Sequence, residues 1–398
     1  MIKRILEESI STVNEAKKAV VVVGPRQAGK TTLLKSMLGD VLWLAGDKPD
    51  EQEFLRNATS TAIAARFGDC EIVVIDEAQR IENIGIILNL ITGKLPDVQL
   101  YACGSLAFES KNEAKELISG DREFTLLPLS FEEMCNHHGL QTELQLIEHR
   151  MIYGYYPEVV TNPGKESSIL KQLTGNYMYK DIMMWERIQK PDRLERLVQA
   201  LALQTGQTVS NHELGKRVGL TNETVEKYIQ LLEKAFVVFR LNGLSGKLKN
   251  ELSKSRKIYF YDNGVRNSVI NHFSPLALRN DTGALWENFI LAERKKYLNN
   301  HYFFTHSYFW RTKNKAEVDY IEETDGKVVA YNIKFSPEAK ERFSKSFVAT
   351  YHPVETKIIH HGNFQEWISD IPVTQEIPLM TSGREIVIRN QDFDVEMD

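Results

Sequence analysis

The chain has 398 residues, 42% of them hydrophobic and 26% charged, the composition of an ordinary globular protein with two to four domains and ample core. Its formal net charge of −5 supplies no global attraction to nucleic acid, so any basic surface is local. Three cysteines, Cys70, Cys103 and Cys135, are far apart and fit no zinc spacing; they read as core thiols in a reducing compartment and exclude a disulfide scaffold.

The N-terminus carries Glu7 and Glu8 where a secretion signal is apolar, and Ile2, Ile5, Leu6, Ile10 and Val13 follow helical spacing. The β-branched run Val20–Val23 then feeds Gly24-Pro25-Arg26-Gln27-Ala28-Gly29-Lys30-Thr31-Thr32 and a helix-like segment. This G-x-x-x-x-G-K-T loop between strand and helix is a phosphate-binding loop. Gly24 and Gly29 permit a backbone whose N–H groups face phosphate oxygens. Lys30 places a positive charge at the β- and γ-phosphates, and the Thr31 hydroxyl suits magnesium. The following helix directs its positive dipole end at the same anions.

Further strands are expected near 41–45, 71–75, 98–103 and 123–127, alternating with helices, which predicts a parallel sheet covered on both faces. The run Glu71-Ile72-Val73-Val74-Ile75-Asp76-Glu77-Ala78-Gln79 is a buried strand ending in two carboxylates, at the edge where open α/β sheets bind ligands. Asp76 is expected to bind magnesium and Glu77 to orient or polarise the attacking water. Ser105, at the tip of the 98–103 strand, either senses the γ-phosphate or caps the next helix. ATP and Mg2+ are the implied ligands, and a cytoplasmic location is the expectation; no apolar run approaches the length of a membrane span.

Pro128-Leu129-Ser130-Phe131-Glu132-Glu133 closes this unit with a capping box, Ser130 to Glu133, and residues 131–190 read as mostly helical. Residues 209–220 and 221–232 then carry helix-turn-helix patterning around Gly219. The strand-like 236–241 and the basic Gly-rich hairpin from Asn242 complete a winged helix. Glu223 and Glu226 on the second helix oppose phosphate approach. The wing favours it, with Lys247, Lys249, Lys254, Arg256 and Lys257 against Glu251 alone. Double-stranded DNA contact and a protein-docking or nucleotide-lid role both remain open.

From residue 258 another α/β unit follows. The strands Glu317–Ile321 and Val328–Lys334 pair through Asp325-Gly326, so period-2 alternation sets Glu317 and Asp319 on one face and Asn332 and Lys334 on one face. The acidic end with Asp392, Asp394, Glu396 and Asp398 carries no motif and reads as a solvated tail.

Taken in order, Gly24–Thr32, Ile75–Gln79, Gly104-Ser105, Pro128–Glu133, Tyr156-Pro157-Glu158, Lys180-Asp181-Ile182, Tyr259–Gly264, Gly283–Phe289 and Glu317–Asp319 resemble the prokaryotic AAA-like ATPases that carry a C-terminal domain of unknown function. The resemblance implies an AAA-like core (1–134), a helical lid or linker (135–190), a winged helix (191–257), a domain similar to restriction-type nucleases (258–362) and a tail (363–398). Two positions depart from the family pattern. A nuclease-like site needs an acid on the first strand and E-x-K on the second; Asp319 and Lys334 match and Glu287 supplies a helix carboxylate, but Asn332 stands where the acid belongs. An amide binds magnesium poorly, so nuclease activity is not expected unless Glu317 substitutes. The family also places an arginine immediately before the P-L-S-F segment; Arg122 is one place displaced, and either serves a neighbouring subunit of a homo-oligomer or pairs with an acid. Arg26 is the alternative positive charge.

Overall fold

The structure is a computed structural model that describes residues 1–13, 19–57, 59–105, 122–178, 182, 188, 191–246, 251, 255–338, 342–372, 377–381 and 384–388. Five parallel strands form the first sheet: β1 (Val20–Val23), β2 (Leu42–Ala45), β3 (Ile72–Asp76), β4 (Gln99–Gly104) and β5 (Glu123–Thr125), in the order β2-β3-β4-β1-β5. Strand alternation divides the apolar residues between two layers. Val73, Ile75, Leu100 and Ala102 pack on the helices Pro49–Arg56, Ser60–Phe67 and Ile84–Lys94. Val20, Val22, Val74 and Tyr101 pack on Leu6 and Ile10 of the first helix and on Leu33 and Leu34 of the helix Lys30–Leu38. Each such side chain, fully removed from water, contributes about 1.5–3 kcal/mol. The expected parallel sheet with helices on both faces is what these residues build.

The predicted capping box is present: Ser130 Oγ accepts from Glu133 N at 3.1 Å, and Ser130 N donates to Glu133 Oε2 at 3.0 Å. Short helices fill 131–172. The helices Asn211–Val218 and Asn222–Lys234 follow, capped by Ser210 and Thr221, with Gly219 left-handed between them. Next come β6 (Val238–Gly243) and β7 (Arg256–Phe260), an antiparallel hairpin.

That hairpin does not stand alone. It continues into β8 (His306–Arg311), β9 (Glu317–Thr324), β10 (Lys327–Ile333) and β11 (Glu355–Ile359) as one six-stranded sheet, ordered β11-β10-β9-β8-β6-β7. The expected domain boundary after residue 257 therefore falls inside β7. Sheet membership also corrects the reading of two cations. Arg256 is tied to Glu226, 2.6 Å away, and to Asn211. Lys257 is 2% exposed and paired inside the second sheet, so neither is a wing cation facing DNA. Glu251 likewise is not an exposed wing acid: it is buried and accepts from Trp310 Nε1 at 2.8 Å. Glu226 itself is neutralised. Burial alone would raise its pKa, but hydrogen bonds from Asn211, Arg240 and Arg256 and the charge of Arg240 hold it at about 2. Lys247, Lys249, Lys254, Lys180, Asp181 and the acidic residues of the tail lie outside the described residues.

Candidate nucleotide site

The phosphate loop leaves the buried end of β1, between β4 and β5. Gly24 has φ 151°, and a Cβ there would lie 2.0 Å from the Leu126 carbonyl oxygen, so only glycine fits against the β5 extension. Gln27 and Gly29 also take positive φ, 62° and 100°. Left-handed positions of this kind allow neighbouring N–H groups to face one concavity. Lys30 opens the helix; its Nζ donates to the Gly24 and Pro25 carbonyls at 2.9 and 2.8 Å, which holds the ammonium over the loop.

The loop meets β3 through Thr31, whose Oγ1 donates to Asp76 Oδ2 at 2.9 Å. The other carboxylate oxygen of Asp76 accepts from Glu77 N and from Cys103 Sγ, both at 2.9 Å. Burial, reinforced by the Asp76 charge, pushes the Cys103 thiol well above its ordinary range, so it remains a neutral S–H donor. Two hard oxygen donors thus converge from the loop and the strand, a donor set that suits Mg2+. Glu77 sits in the left-handed region, φ 49° and ψ 36°, at a cost on the order of 1 kcal/mol. Its Oε2 accepts from Gln79 Nε2 at 2.8 Å and lies 3.5 Å from Arg80 Nε. Gln79 Nε2 also donates to Ser105 Oγ at 2.9 Å. Ser105 is buried at the tip of β4 and belongs to this cluster.

Pro25, Arg26 and Ser105 form one wall of a cleft whose other wall includes Tyr156, Phe236, Tyr261 and Asp262. Arg122 is elsewhere. It precedes Glu123, which pairs with Val21, so it stands level with Val20 at the opposite end of the strands from the loop. The four residue steps from Val20 to Gly24 span roughly 13 Å.

Arg4 carries no sequence signal, yet it braces the loop. It is buried and donates to the Ala28 carbonyl at 2.8 Å, the Leu127 carbonyl at 2.6 Å and Glu133 Oε1 at 2.9 Å. Its partners lie 24 to 129 residues away, a separation no local pattern encodes. Cys103 and Gln79 were visible only as a core thiol and as part of a motif.

The second predicted cluster is also assembled. Asp319 accepts from Ile333 N at 2.8 Å and Lys334 Nζ at 3.4 Å, and Asp319 N donates to Asn332 Oδ1 at 3.3 Å. Lys257 Nζ lies between Glu287 (3.2 Å) and Glu317 (2.7 Å). Burial alone would lower the Lys257 pKa, but Glu287, Glu317 and Asp319 outweigh it and raise it, so the ammonium stays charged. The Asn332 amide nitrogen is buried without a hydrogen-bond partner among the described residues. The amide and the intruding ammonium fit a divalent cation poorly.

Residues 16–135 match a family model described as an AAA domain. Residues 144–276 and 282–380 match two domains of unknown function, DUF8612 and DUF4143. Uncharacterized proteins of Mycobacterium tuberculosis and Mycobacterium bovis are each 24% identical over 382 residues, covering 92% of this chain and 81% of theirs. An uncharacterized protein of Haemophilus influenzae is 29% identical over 209 residues, 50% of this chain and 52% of that one. Among solved structures, a Walker-type ATPase of Pyrococcus abyssi aligns at 14% identity and TM-score 0.44, over 68% of this chain and 96% of its own. The match likens residues 16–135 to an AAA domain and supports ATP binding and hydrolysis in general. No helix among the described residues is long and apolar enough to cross a membrane.

Proposed function

We propose that the chain is a magnesium-dependent ATPase whose turnover drives a conformational change in its C-terminal half, coupled to a DNA or protein partner. The observation that carries this is the contact between Thr31 and Asp76 beside Glu77, at the mouth of the phosphate loop. Backbone N–H groups of Gly24–Thr32 and the Lys30 ammonium bind the phosphates. Thr31 and Asp76 would hold Mg2+, which when bound neutralises charge on the β- and γ-phosphates. Glu77 orients the attacking water and accepts its proton. Ser105 faces the γ-phosphate end of the loop. Arg122 serves a neighbouring copy in a homo-oligomer; its place at the far end of the strands supports a role between subunits over one in its own site.

Coupling to the C-terminal half is supported by the cleft, where Pro25, Arg26 and Ser105 face Phe236, Tyr261 and Asp262. A docking role for the C-terminal unit, without nuclease activity, is supported by Asn332 and by the Lys257 ammonium between Glu287 and Glu317. Loss of Arg256 and Lys257 to internal ion pairs leaves DNA contact to Lys247, Lys249 and Lys254.

The test is steady-state ATP hydrolysis with magnesium, for wild type and Glu77→Gln, with and without double-stranded DNA. Turnover abolished by the substitution and stimulated by DNA supports a DNA-linked remodeller. Turnover abolished but indifferent to DNA points to a protein partner. Tight ATP binding without wild-type turnover refutes the ATPase and leaves an ATP-dependent switch.

A further inference from the structure

Gln79 sits where a single amide touches two parts of the nucleotide site. Its Nε2 donates both hydrogens, one to Glu77 Oε2 at 2.8 Å and one to Ser105 Oγ at 2.9 Å. A carboxylate only accepts, so the amide group bonded to Glu77 must be the NH2, which leaves the carbonyl Oε1 to accept from a different group. That oxygen is buried and has no hydrogen-bond partner among the described residues. A buried acceptor left unmade costs stability, so a polar donor is expected to fill it during function. The Glu77 backbone adds a second sign of selection for geometry, since its left-handed conformation persists against strain.

We propose that Gln79 is a further catalytic residue of the ATPase, holding Glu77 in position while its Oε1 accepts a hydrogen bond from the attacking water. The assignment rests on the ATPase reading above. In the step, the water donates one O–H to Glu77 and the other to Gln79 Oε1. The water oxygen bonds to the γ-phosphorus, and the bond from that phosphorus to the β–γ bridging oxygen breaks. ADP leaves with the electron pair, and the water's proton passes to the Glu77 carboxylate and then to solvent. Ser105 fixes the amide from the other side, so movement of the β4 tip against the γ-phosphate is relayed to Glu77 through one side chain.

Full-length protein is assayed as wild type, Gln79→Ala, Gln79→Glu, Ser105→Ala and Glu77→Gln. The measurements are kcat, KM for ATP, affinity for a fluorescent ATP analogue with magnesium, and the thermal midpoint. Expected for both Gln79 variants is a fall in kcat of about 100-fold, the usual loss when one preorganised polar group is removed. For Gln79→Ala, KM, nucleotide affinity and midpoint should stay near wild type. Gln79→Glu should be no better than Gln79→Ala, because a carboxylate keeps an acceptor but repels Glu77 and loses the donors. Ser105→Ala should lower kcat less, and its effect should be smaller in the Gln79→Ala background than in wild type. Turnover lost in Glu77→Gln but kept in Gln79→Ala overturns this assignment alone. Loss of affinity and midpoint together with kcat makes Gln79 merely structural and also overturns it. Turnover that survives Glu77→Gln overturns the role of Glu77 in activating water, and this inference with it; absence of wild-type turnover overturns the ATPase reading.

Discussion

Replacing Arg4 with methionine tests whether the phosphate loop depends on a brace from outside its motif. Methionine keeps much of the stem's volume and removes the guanidinium. Three bonds are lost, to the carbonyls of Ala28 and Leu127 and to Glu133. Glu133, 1% exposed, keeps the N–H groups of Ile5 and Ser130, each at 3.0 Å, but loses its cation. Breaking one side of a buried ion pair costs about 3–5 kcal/mol, and the two retained N–H donors put this case near 3. At about 2–4 °C per kcal/mol for a unit of this size, the midpoint should fall by about 6–12 °C. Because the Ala28 carbonyl lies inside the loop, nucleotide affinity should weaken about tenfold, equivalent to about 1.4 kcal/mol. Arg4→Lys should not restore either property, since one ammonium cannot reproduce a fork that reaches three acceptors. Thermal unfolding and fluorescent-nucleotide titration read the two effects. A shift in midpoint under about 2 °C with unchanged affinity would refute the bracing role.

Two further outcomes follow from the charged groups. His301 Nε2 donates to Glu132 Oε2 at 2.7 Å, and this hydrogen bond, against some burial and with help from the charges of Glu132 and Asp370, raises the His301 pKa. Its stabilisation is then fully present below the unfolded value of about 6.5 and is lost as pH rises through the folded value. The midpoint difference between wild type and His301→Gln should shrink from pH 5.5 toward alkaline pH; a pH-independent difference would contradict this. Lys257→Met should destabilise the second sheet by about 3–5 kcal/mol, because Glu287 and Glu317 lose their shared cation. A Glu287→Gln partner substitution should recover part of the loss, and unfolding in denaturant would expose either failure.

The parts of the fold that were legible share a local cause. Val20–Val23 and Ile72–Asp76 are apolar runs of strand length with a chemically defined end, and Ser210, Thr221 and Ser130 mark helix starts by side chains that bond their own first turn. The hairpin of β9 and β10 was legible because Asp325 and Gly326 both take positive φ, at 52° and 74°. What was not legible is set by distant partners. The basic run ending at Arg256-Lys257 looks like a wing until β6 pairs in parallel with β8, Asn242 opposite Tyr308. That pairing extends the sheet, and the alternation of β7 then carries Lys257 inward to acids from 287 and 317. Charge alone could not distinguish a phosphate contact from an internal counter-ion.

The same nonlocal pairing gives the proposed coupling a physical route. The second helix of the helix-turn-helix ends at Lys234, and the chain reverses through Phe236, whose φ of 55° is strained for an aromatic residue. Val237 N closes that turn on the Leu232 carbonyl, and Phe236 packs edge-on against Tyr261, which precedes Asp262. Phe236, Tyr261 and Asp262 all line the cleft opposite Pro25, Arg26 and Ser105. A ligand shifts an equilibrium only through contacts that differ between two states. The loop residues Pro25 and Arg26 and the tight turn at Phe236 line the same cleft, so in the proposed coupling a nucleotide that moves Ser105 or Arg26 would change what the turn packs against. In the proposed coupling, the helix Asn222–Lys234 would be displaced from this turn, and the β6 strand that leaves the same turn would carry the change into the six-stranded sheet.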